Sequence, residues 1–380
     1  MVASDFLRDA RIVIVGAGAV GAALSYRLAQ AGASVTVVEQ RFPGSGTTGS
    51  SFAWLNGFNK PPREYHRLNI MSIRDHEDLA DELGGDWVHV NGGIHWSPDD
   101  NALGTANLQQ SLQRLRSWGV RIDTTTPEVV MRELEPDLWI DPEQVSEVYI
   151  LPREGWLDTV TFAHGSLRAA MTRYGAVFVH GMVTGLNGPS GAVTSVVVDG
   201  QRELPADVVI NAAGPDAGRI AEMAGVRIPM DRQIGMLLST APAPVWLRHT
   251  VHAPIAHLRP DGGGRLLLHH EKLDSYAVEG EQPSLEAPFV EDTLERGRSI
   301  CPGLRDVPAQ SLRVGIRPMP IDGVSIVGFE PAVSGLYTVV THSGITLSAR
   351  LALLVTEELS GGDTSELEPF RPTRFTTPVR

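Results

Sequence analysis

The chain has 380 residues, 42% of them hydrophobic and 20% charged, with a formal net charge of −13. That length suffices for two packed domains, or for one domain with a large insertion. The acidic balance and the absence of any basic run argue against a nucleic-acid partner, and the single cysteine, Cys301, excludes an intrachain disulfide and a cysteine-rich metal site.

The opening "MVASDFLRDA" is a short polar lead without the apolar core of a signal peptide. The most apolar region, Ile12 to Val38, is broken by glycines, Arg27 and Gln30, unlike a membrane span. A cytoplasmic protein is expected. Of the 32 Lys and Arg residues only Lys60 and Lys272 are lysines, a bias that reads as genome composition.

In chain order, "RIVIVGAGAVGAALSYRLAQAGASVTVVEQ" (11–40) reads as a buried strand, a glycine turn, a helix stopped at Gly32 and a second strand, a βαβ unit. Residues 61–86 read as one long helix, opened by two prolines and ended by Gly84 and Gly85. "WVHVNGGIHWS" predicts a strand pair around Asn91-Gly92, "NALGTANLQQSLQRLRSWGV" a helix, and "PEVVMRELEPDL" a short helix and turn. Residues 151–188 hold a strand–helix–strand, followed by strands in "GAVTSVVVDG" and "RELPADVVINAAGP". From Ile228 to Glu279 the strands "GMLLST", "HAPIAHLRP" and "GRLLLHHE" predict an antiparallel sheet facing something on one side. A helix at 291–299, the strands "GVSIVG" and "GLYTVVT", and an amphipathic helix ending at Gly361 complete the chain, with "EPFRPTRFTTPVR" as a docked or frayed tail. βαβ-like pieces at the start, middle and end, interrupted twice by sheet-rich pieces, predict a nucleotide-binding domain (1–85, 150–225 and 311–380) with a substrate domain inserted in two sections (86–149 and 226–310).

Three segments carry chemistry. Gly16, Gly18 and Gly21 form G-x-G-x-x-G between a strand and a helix, with Glu39 ending the next strand. Such a turn brings a pyrophosphate to a helix N-terminus while the acid accepts hydrogen bonds from ribose hydroxyls, so a dinucleotide is expected. "PGSGTTGSSFAWLNG" (43–57) is rich in small residues and hydroxyls and suits a loop lying along a phosphate and sugar chain. "VGIRPMPIDG" (314–323) holds Arg317 beside Pro318 and Pro320, a stiff mount that aims a guanidinium at something.

"VGAGAVG" with Glu39, "SGTTGSS", "GMVTGL", "VVINAAGP", "VGIRPMPIDGVSIVG" and "THSGITLS" together span nearly the whole chain. In this order they resemble the D-amino-acid oxidase (DAO) family of FAD-dependent oxidoreductases, which includes glycine oxidase, sarcosine oxidase and D-amino-acid dehydrogenase. The resemblance implies an α/β fold, a Rossmann-type FAD-binding domain with an inserted antiparallel-sheet α+β substrate domain. It implies FAD contacts at Gly16, Gly18, Ala19, Val20, Gly21, Glu39 and Gln40, at Thr47, Thr48, Gly49 and Ser50, at Val183, Ala213 and Gly214, and at Gly344, Ile345 and Thr346. Arg317 stands where relatives hold a substrate carboxylate over the flavin, a role that suits a planar guanidinium fork; a structural ion pair is the bland alternative. His342 approaches the flavin or caps a turn. His269 and His270 lie on a strand that in the family faces the substrate; strand alternation lets at most one face the cavity, and the comparison favours His270. His95, Tyr276 and Arg259 are weaker candidates. Gly49 and Ser50 stand where some relatives attach flavin to a histidine, so non-covalent FAD is expected. A lysine that promotes reaction with dioxygen in sarcosine oxidase aligns approximately with Leu266, and neither Lys60 nor Lys272 fits that register, which leaves dioxygen or another electron acceptor open.

The activity implied is oxidation of the C–N bond of an amino acid or N-alkyl amino acid to an imine, followed by hydrolysis. The alternatives are 2-hydroxy-acid oxidation on the same fold, an aromatic monooxygenase, for which the chain lacks a "GDAAH"-like segment, and a flavin-binding subunit of a larger complex. An oligomer is compatible with all of these.

Overall fold

The computed structural model describes residues 7–8 and 10–375. Residues 1–6 and 9 of the polar lead and residues 376–380 of the tail lie outside the described residues. The described part of the tail is docked, with Phe370 buried against Tyr65 and Arg371 paired to Glu358 at 2.9 Å.

Two sheets organise the chain. The first has six strands in the order Ile326–Phe329, Leu336–Val340, Val208–Asn211, Arg11–Val15, Ser34–Glu39, Val177–His180. Its pairings are parallel except for the antiparallel edge strand Ile326–Phe329. Strand alternation splits "IVIV" between two cores. Ile12 and Ile14 meet the helices Ala19–Gln30, Thr159–Tyr174 and Gly344–Leu359, whereas Val13 and Val15 meet a small three-stranded sheet and the helix Ala217–Glu222. The predicted helix at 61–86 runs from Arg63 to Leu83, with Pro62 before its first turn and Gly84 closing it at φ 68°.

The second sheet has eight strands in the order Ala309–Pro320, Met230–Thr240, Leu266–His269, His257–Pro260, Thr250–His252, Gly93–His95, Val148–Leu151, Asp123–Thr125. It is mixed rather than antiparallel throughout, because Thr250–His252 and Gly93–His95 run parallel and weld the two inserted sections into one surface. The helix Pro288–Ile300 and Cys301 pack beneath it. The expected boundaries at 150 and 311 fall inside two of its strands.

The strand pair predicted around Asn91-Gly92 does not form. Val88–His89 pairs instead with Gly155–Leu157, and Gly93–His95 joins the eight-stranded sheet. Gly92, at φ 101°, makes the bend between them while its N–H bonds Glu154 O at 2.8 Å and its C=O accepts from Thr250 N at 3.1 Å. With its backbone partners on other segments, the dipeptide cannot close a hairpin of its own.

The Thr159–Tyr174 helix holds the sheet to this inserted part. Phe162 is fully buried and meets Trp87 and His76 edge-on. Phe162→Ala is expected to cost about 3–5 kcal/mol, read as a lowered urea midpoint for the purified protein.

Candidate active site

The glycine turn is built for close approach. Gly16 sits at φ 102°, and a Cβ on it would lie 2.6 Å from Ala212 O. A Cβ on Gly21 would lie 2.0 Å from Gly16 O, so the helix packs on the turn only with glycine there. Gly18 precedes the first helix without a side-chain cap, and Ala19 N donates to Thr48 Oγ1 at 3.0 Å. Glu39 steadies the turn: its Oε2 accepts from Ala17 N and its Oε1 from Arg41 N, each at 3.0 Å. Carboxylate oxygens have further lone pairs, so Glu39 keeps acceptor capacity for a ribose.

Three clefts follow one another from this turn. The first is lined by Gly16, Glu39, Gln40, Val183 and Ala213. The second is lined by Gly18, Ala19, Val20, Thr47, Thr48, Gly214, Gly344 and Ile345. The third, about 460 Å³, is lined by Ser50, Thr346, His342 and Arg317. Residues expected to hold FAD line all three clefts, and the N-terminal residues of two helices, Ala19 and Gly344, both line the second. Gly21 and Gly49 line none of these clefts; a Cβ on Gly49 would lie 2.8 Å from Gly44 O, so both are close-packing positions. The second helix N-terminus is that of Gly344–Leu359, where Ser343 Oγ is buried without a partner. Thr346 Oγ1 donates to Trp54 O at 3.0 Å and pins the loop after "SGTTGSS" to this helix.

Arg317 lies within the twelve-residue strand Ala309–Pro320. That strand is at the sheet edge, which tolerates Pro318 and Pro320. Its guanidinium lies over Gly235 of the neighbouring strand, where a Cβ would come within 2.6 Å of Nη2. Nη2 donates to Asp274 Oδ2 at 2.7 Å. Asp274 Oδ1 in turn accepts from Met236 N at 2.8 Å and faces His269 Nε2 at 3.1 Å. Burial works to raise the Asp274 pKa, but His269, the Met236 amide and Arg317 together outweigh it and hold the carboxyl below its usual range. The ion pair occupies one nitrogen; Nε and Nη1 have no hydrogen-bond partner among the described residues, and Arg317 lines the cavity.

The two neighbouring histidines part company. His269 is the last residue of its strand and lines the Arg317 cavity. His270 precedes the next short helix, bonds Thr293 Oγ1 at 3.0 Å and reaches only the larger adjoining cavity. His342 lines both cavities; its imidazole is pushed down first by desolvation and then by the charges of Lys60 and Arg317, so it is neutral. Arg259 is buried and braces Phe52 O and Pro260 O. Tyr276 is 39% exposed and stacks on Phe289, away from these cavities.

Sequence reasoning missed Asp274, His252 and His257, set Lys60 aside as an oxygen-activating lysine, and named His95 and His269 without joining them in one row of imidazoles. His95, His252, His257 and His269 stand on four adjacent strands in direct register, His95 opposite His252, His252 opposite His257, and His257 opposite His269. Ring centroids are 4.7, 5.2 and 5.8 Å apart along the row. Carboxylates close both ends, Glu154 against His95 at 2.9 Å and Asp274 against His269 at 3.1 Å. Burial, then the neighbouring histidines, pushes His252 well down and His257 down to about 3, so the inner pair is neutral. One signal was available: Lys60 is one of two lysines in an arginine-rich chain, and burial pushes its ammonium down to about 8.

The profile of the family described as "FAD dependent oxidoreductase" (DAO) matches residues 11–358, and the chain belongs to that family. It is 27% identical over 375 residues to an opine oxidase subunit of Agrobacterium tumefaciens, covering 96% of this chain and 97% of that one. The crystal structure of glycine oxidase from Geobacillus kaustophilus superposes with a TM-score of 0.82 at 24% identity, covering 96% of this chain and 99% of that one. L-proline dehydrogenase from P. horikoshii gives a TM-score of 0.82 at 22% identity, over 97% and 98% of the two chains. The fold is thus that of a Rossmann-type FAD-binding domain with a substrate domain, and the protein is a FAD-dependent oxidoreductase. No helix among the described residues is long and apolar enough to cross a membrane.

The glycine cradle sets the first test. Gly16→Ala places a methyl against Ala212 O and is expected to weaken FAD binding at least about tenfold. The flavin-to-protein absorbance ratio after dialysis reads this directly.

Proposed function

We propose that the protein oxidises the C–N bond of an amino acid or N-alkyl amino acid to an imine, which water then hydrolyses. The observation that carries this reading is Arg317, pinned by Asp274 and presenting free N–H donors to a cavity that continues the FAD trough. When bound, FAD supplies the acceptor for a hydride.

The chain's own residues bind and orient the substrate. The Arg317 fork takes the carboxylate in a charge-assisted pair and fixes where the α-carbon lies. Asp274 prevents the guanidinium from turning away, and Gly235 leaves the space it occupies. The neutral imidazoles of His252, His257 and His342 place no extra positive charge against an incoming amine. The N-terminus of the Gly344–Leu359 helix favours negative charge at its end of the trough. FAD is held without a covalent bond in this reading: Gly49 and Ser50 offer no attachment, and Cys301 is buried in the core below the eight-stranded sheet. A single buried cysteine suits a reducing cytoplasm. The electron acceptor is dioxygen or a partner.

A second reading has one observation behind it. The similar opine oxidase chain is named as one subunit of its enzyme, so this chain is also read as the flavin-bearing part of an assembly that passes electrons onward.

Anaerobic visible spectroscopy tests both readings. Glycine, sarcosine, proline and D- or L-amino acids are mixed in turn with the flavoprotein, and bleaching of the flavin bands by one group is expected, with ammonia or amine released. Return of colour in air identifies dioxygen as acceptor; slow return points to a partner. Bleaching by 2-hydroxy acids alone would overturn the amine reading. Arg317→Met should lower kcat/KM by about 10–10², as expected when a charge-assisted hydrogen bond worth about 1.5–3 kcal/mol is lost, whereas the FAD content should stay unchanged.

A further inference from the structure

A separate cavity of about 370 Å³ opens beside the start of the Arg63–Leu83 helix. It shares Phe58 with the larger cavity that adjoins the Arg317 site, and otherwise has its own walls. That volume suits a small molecule. Phe58, Ile70, Trp118 and Leu151 give it an apolar body, with the His66 ring 4.9 Å from the Trp118 ring.

Four exposed arginines stand at its rim. Arg121 is paired with Asp123 at 2.9 Å and Arg153 with Glu77 at 2.6 Å. Arg63 and Arg67 have no ion-pair partner among the described residues. They sit four residues apart on one helix face, where like charges repel, and Arg63 is close enough for its charge to act on His66. In a chain of net charge −13, two guanidiniums left unpaired at one opening suit an anion that arrives with a ligand.

The inner end offers acceptors instead. Glu154 is buried and lines this cavity and neither of the two on the Arg317 side. Its Oε2 accepts from Trp54 Nε1 at 3.1 Å and meets His95 Nε2 at 2.9 Å, while its Oε1 is buried without a partner. Lys60, which lines the other two cavities, acts on this carboxyl through its charge alone. His66 adds a second acceptor. Its Nδ1 donates to Gly57 O at 2.8 Å and burial favours the neutral ring, so Nε2 keeps a lone pair with no partner among the described residues. A buried acceptor without a donor is costly, so this end suits an N–H or O–H.

We propose that this cavity is a second binding site, separate from the substrate site, for a small, flat, apolar carboxylate whose far end carries a hydrogen-bond donor. The ring packs on Phe58 and Trp118, the carboxylate meets Arg63 and Arg67, and the donor meets Glu154. The site does not depend on which compound the flavin oxidises.

Calorimetry of the flavin-loaded protein tests it with three probes: indole-3-acetate, which has both ends; 1-naphthaleneacetate, which lacks the donor; and 3-methylindole, which lacks the anion. Indole-3-acetate is expected to bind at least about tenfold more tightly than either of the others. Replacing both rim arginines, Arg63→Gln with Arg67→Gln, should remove its advantage over 3-methylindole. Arg317→Met should leave its affinity unchanged, with flavin content and melting temperature confirming that each variant is folded. No binding of indole-3-acetate, equal binding of the charged and neutral indoles, or an affinity lost with Arg317→Met rather than with the rim arginines would overturn the proposal. Equal binding of the two acids would overturn the donor contact at Glu154. Binding is read without turnover, so failure of this site and failure of the oxidation reading are separately visible.

Discussion

One half-buried carboxylate carries the architecture of the site. Asp274 receives the Met236 amide, the His269 ring and the Arg317 guanidinium. These come from three different strands, so the carboxylate ties the sheet edge to its interior at the point where the cavity opens. The side chains of the Arg317–Asp274 pair are part-buried, 33% and 19% exposed, so breaking it costs less than losing one partner of a fully buried pair. The pair does not cancel the arginine as a ligand. One nitrogen is spent on orientation and the rest of the fork is aimed, which is what a carboxylate anchor needs. The structural ion pair is present, and the substrate anchor of the proposed function would use the nitrogens that the pair leaves free.

The histidine row depends on the same sheet. Four imidazoles meet because four strands place one histidine each in register, and the central join is the parallel pairing of Thr250–His252 with Gly93–His95. A buried array of charged imidazoles would repel itself, and the inner two are accordingly pushed to the neutral form, while the outer two each face a carboxylate. Gly93 makes the Glu154 end possible, since a Cβ there would lie 2.3 Å from the Glu154 carboxylate. The result is a polar wall with little net charge of its own, against which Arg317 and Lys60 stand out.

What was legible in the sequence was what local rules dictate. The glycine turn, the acid at 39 and the helix stops at Gly32 and Gly84 are written in backbone chemistry, and the order of motifs led to the right family. Arg317 was visible because prolines beside an arginine are unusual, although the prolines mark an edge strand rather than a braced loop. The remainder depends on contacts between distant segments. No local pattern announces that Lys60 lies near Glu154 or that His95 stacks on His252, 157 positions away. Asp274 belongs to a four-residue helix after a histidine pair, a stretch without periodicity to read. The Asn91-Gly92 pair misled because its turn chemistry was sound while its hydrogen-bond partners lay elsewhere.

The same reasoning explains why the trough and the wall opposite it differ in how they are specified. The trough is made by turns and helix N-termini, whose donors are backbone groups and so barely depend on side-chain identity. The histidines of the wall are brought together from both inserted sections through a single parallel join, whereas Lys60 and Arg317 reach it from outside those sections. Changes of one residue there alter charge and shape without disturbing the cradle. Under the proposed function, the residues that would set this chain's substrate choice are those lining the Arg317 cavity, among them Arg317, Lys60 and the neutral inner histidines His252 and His257.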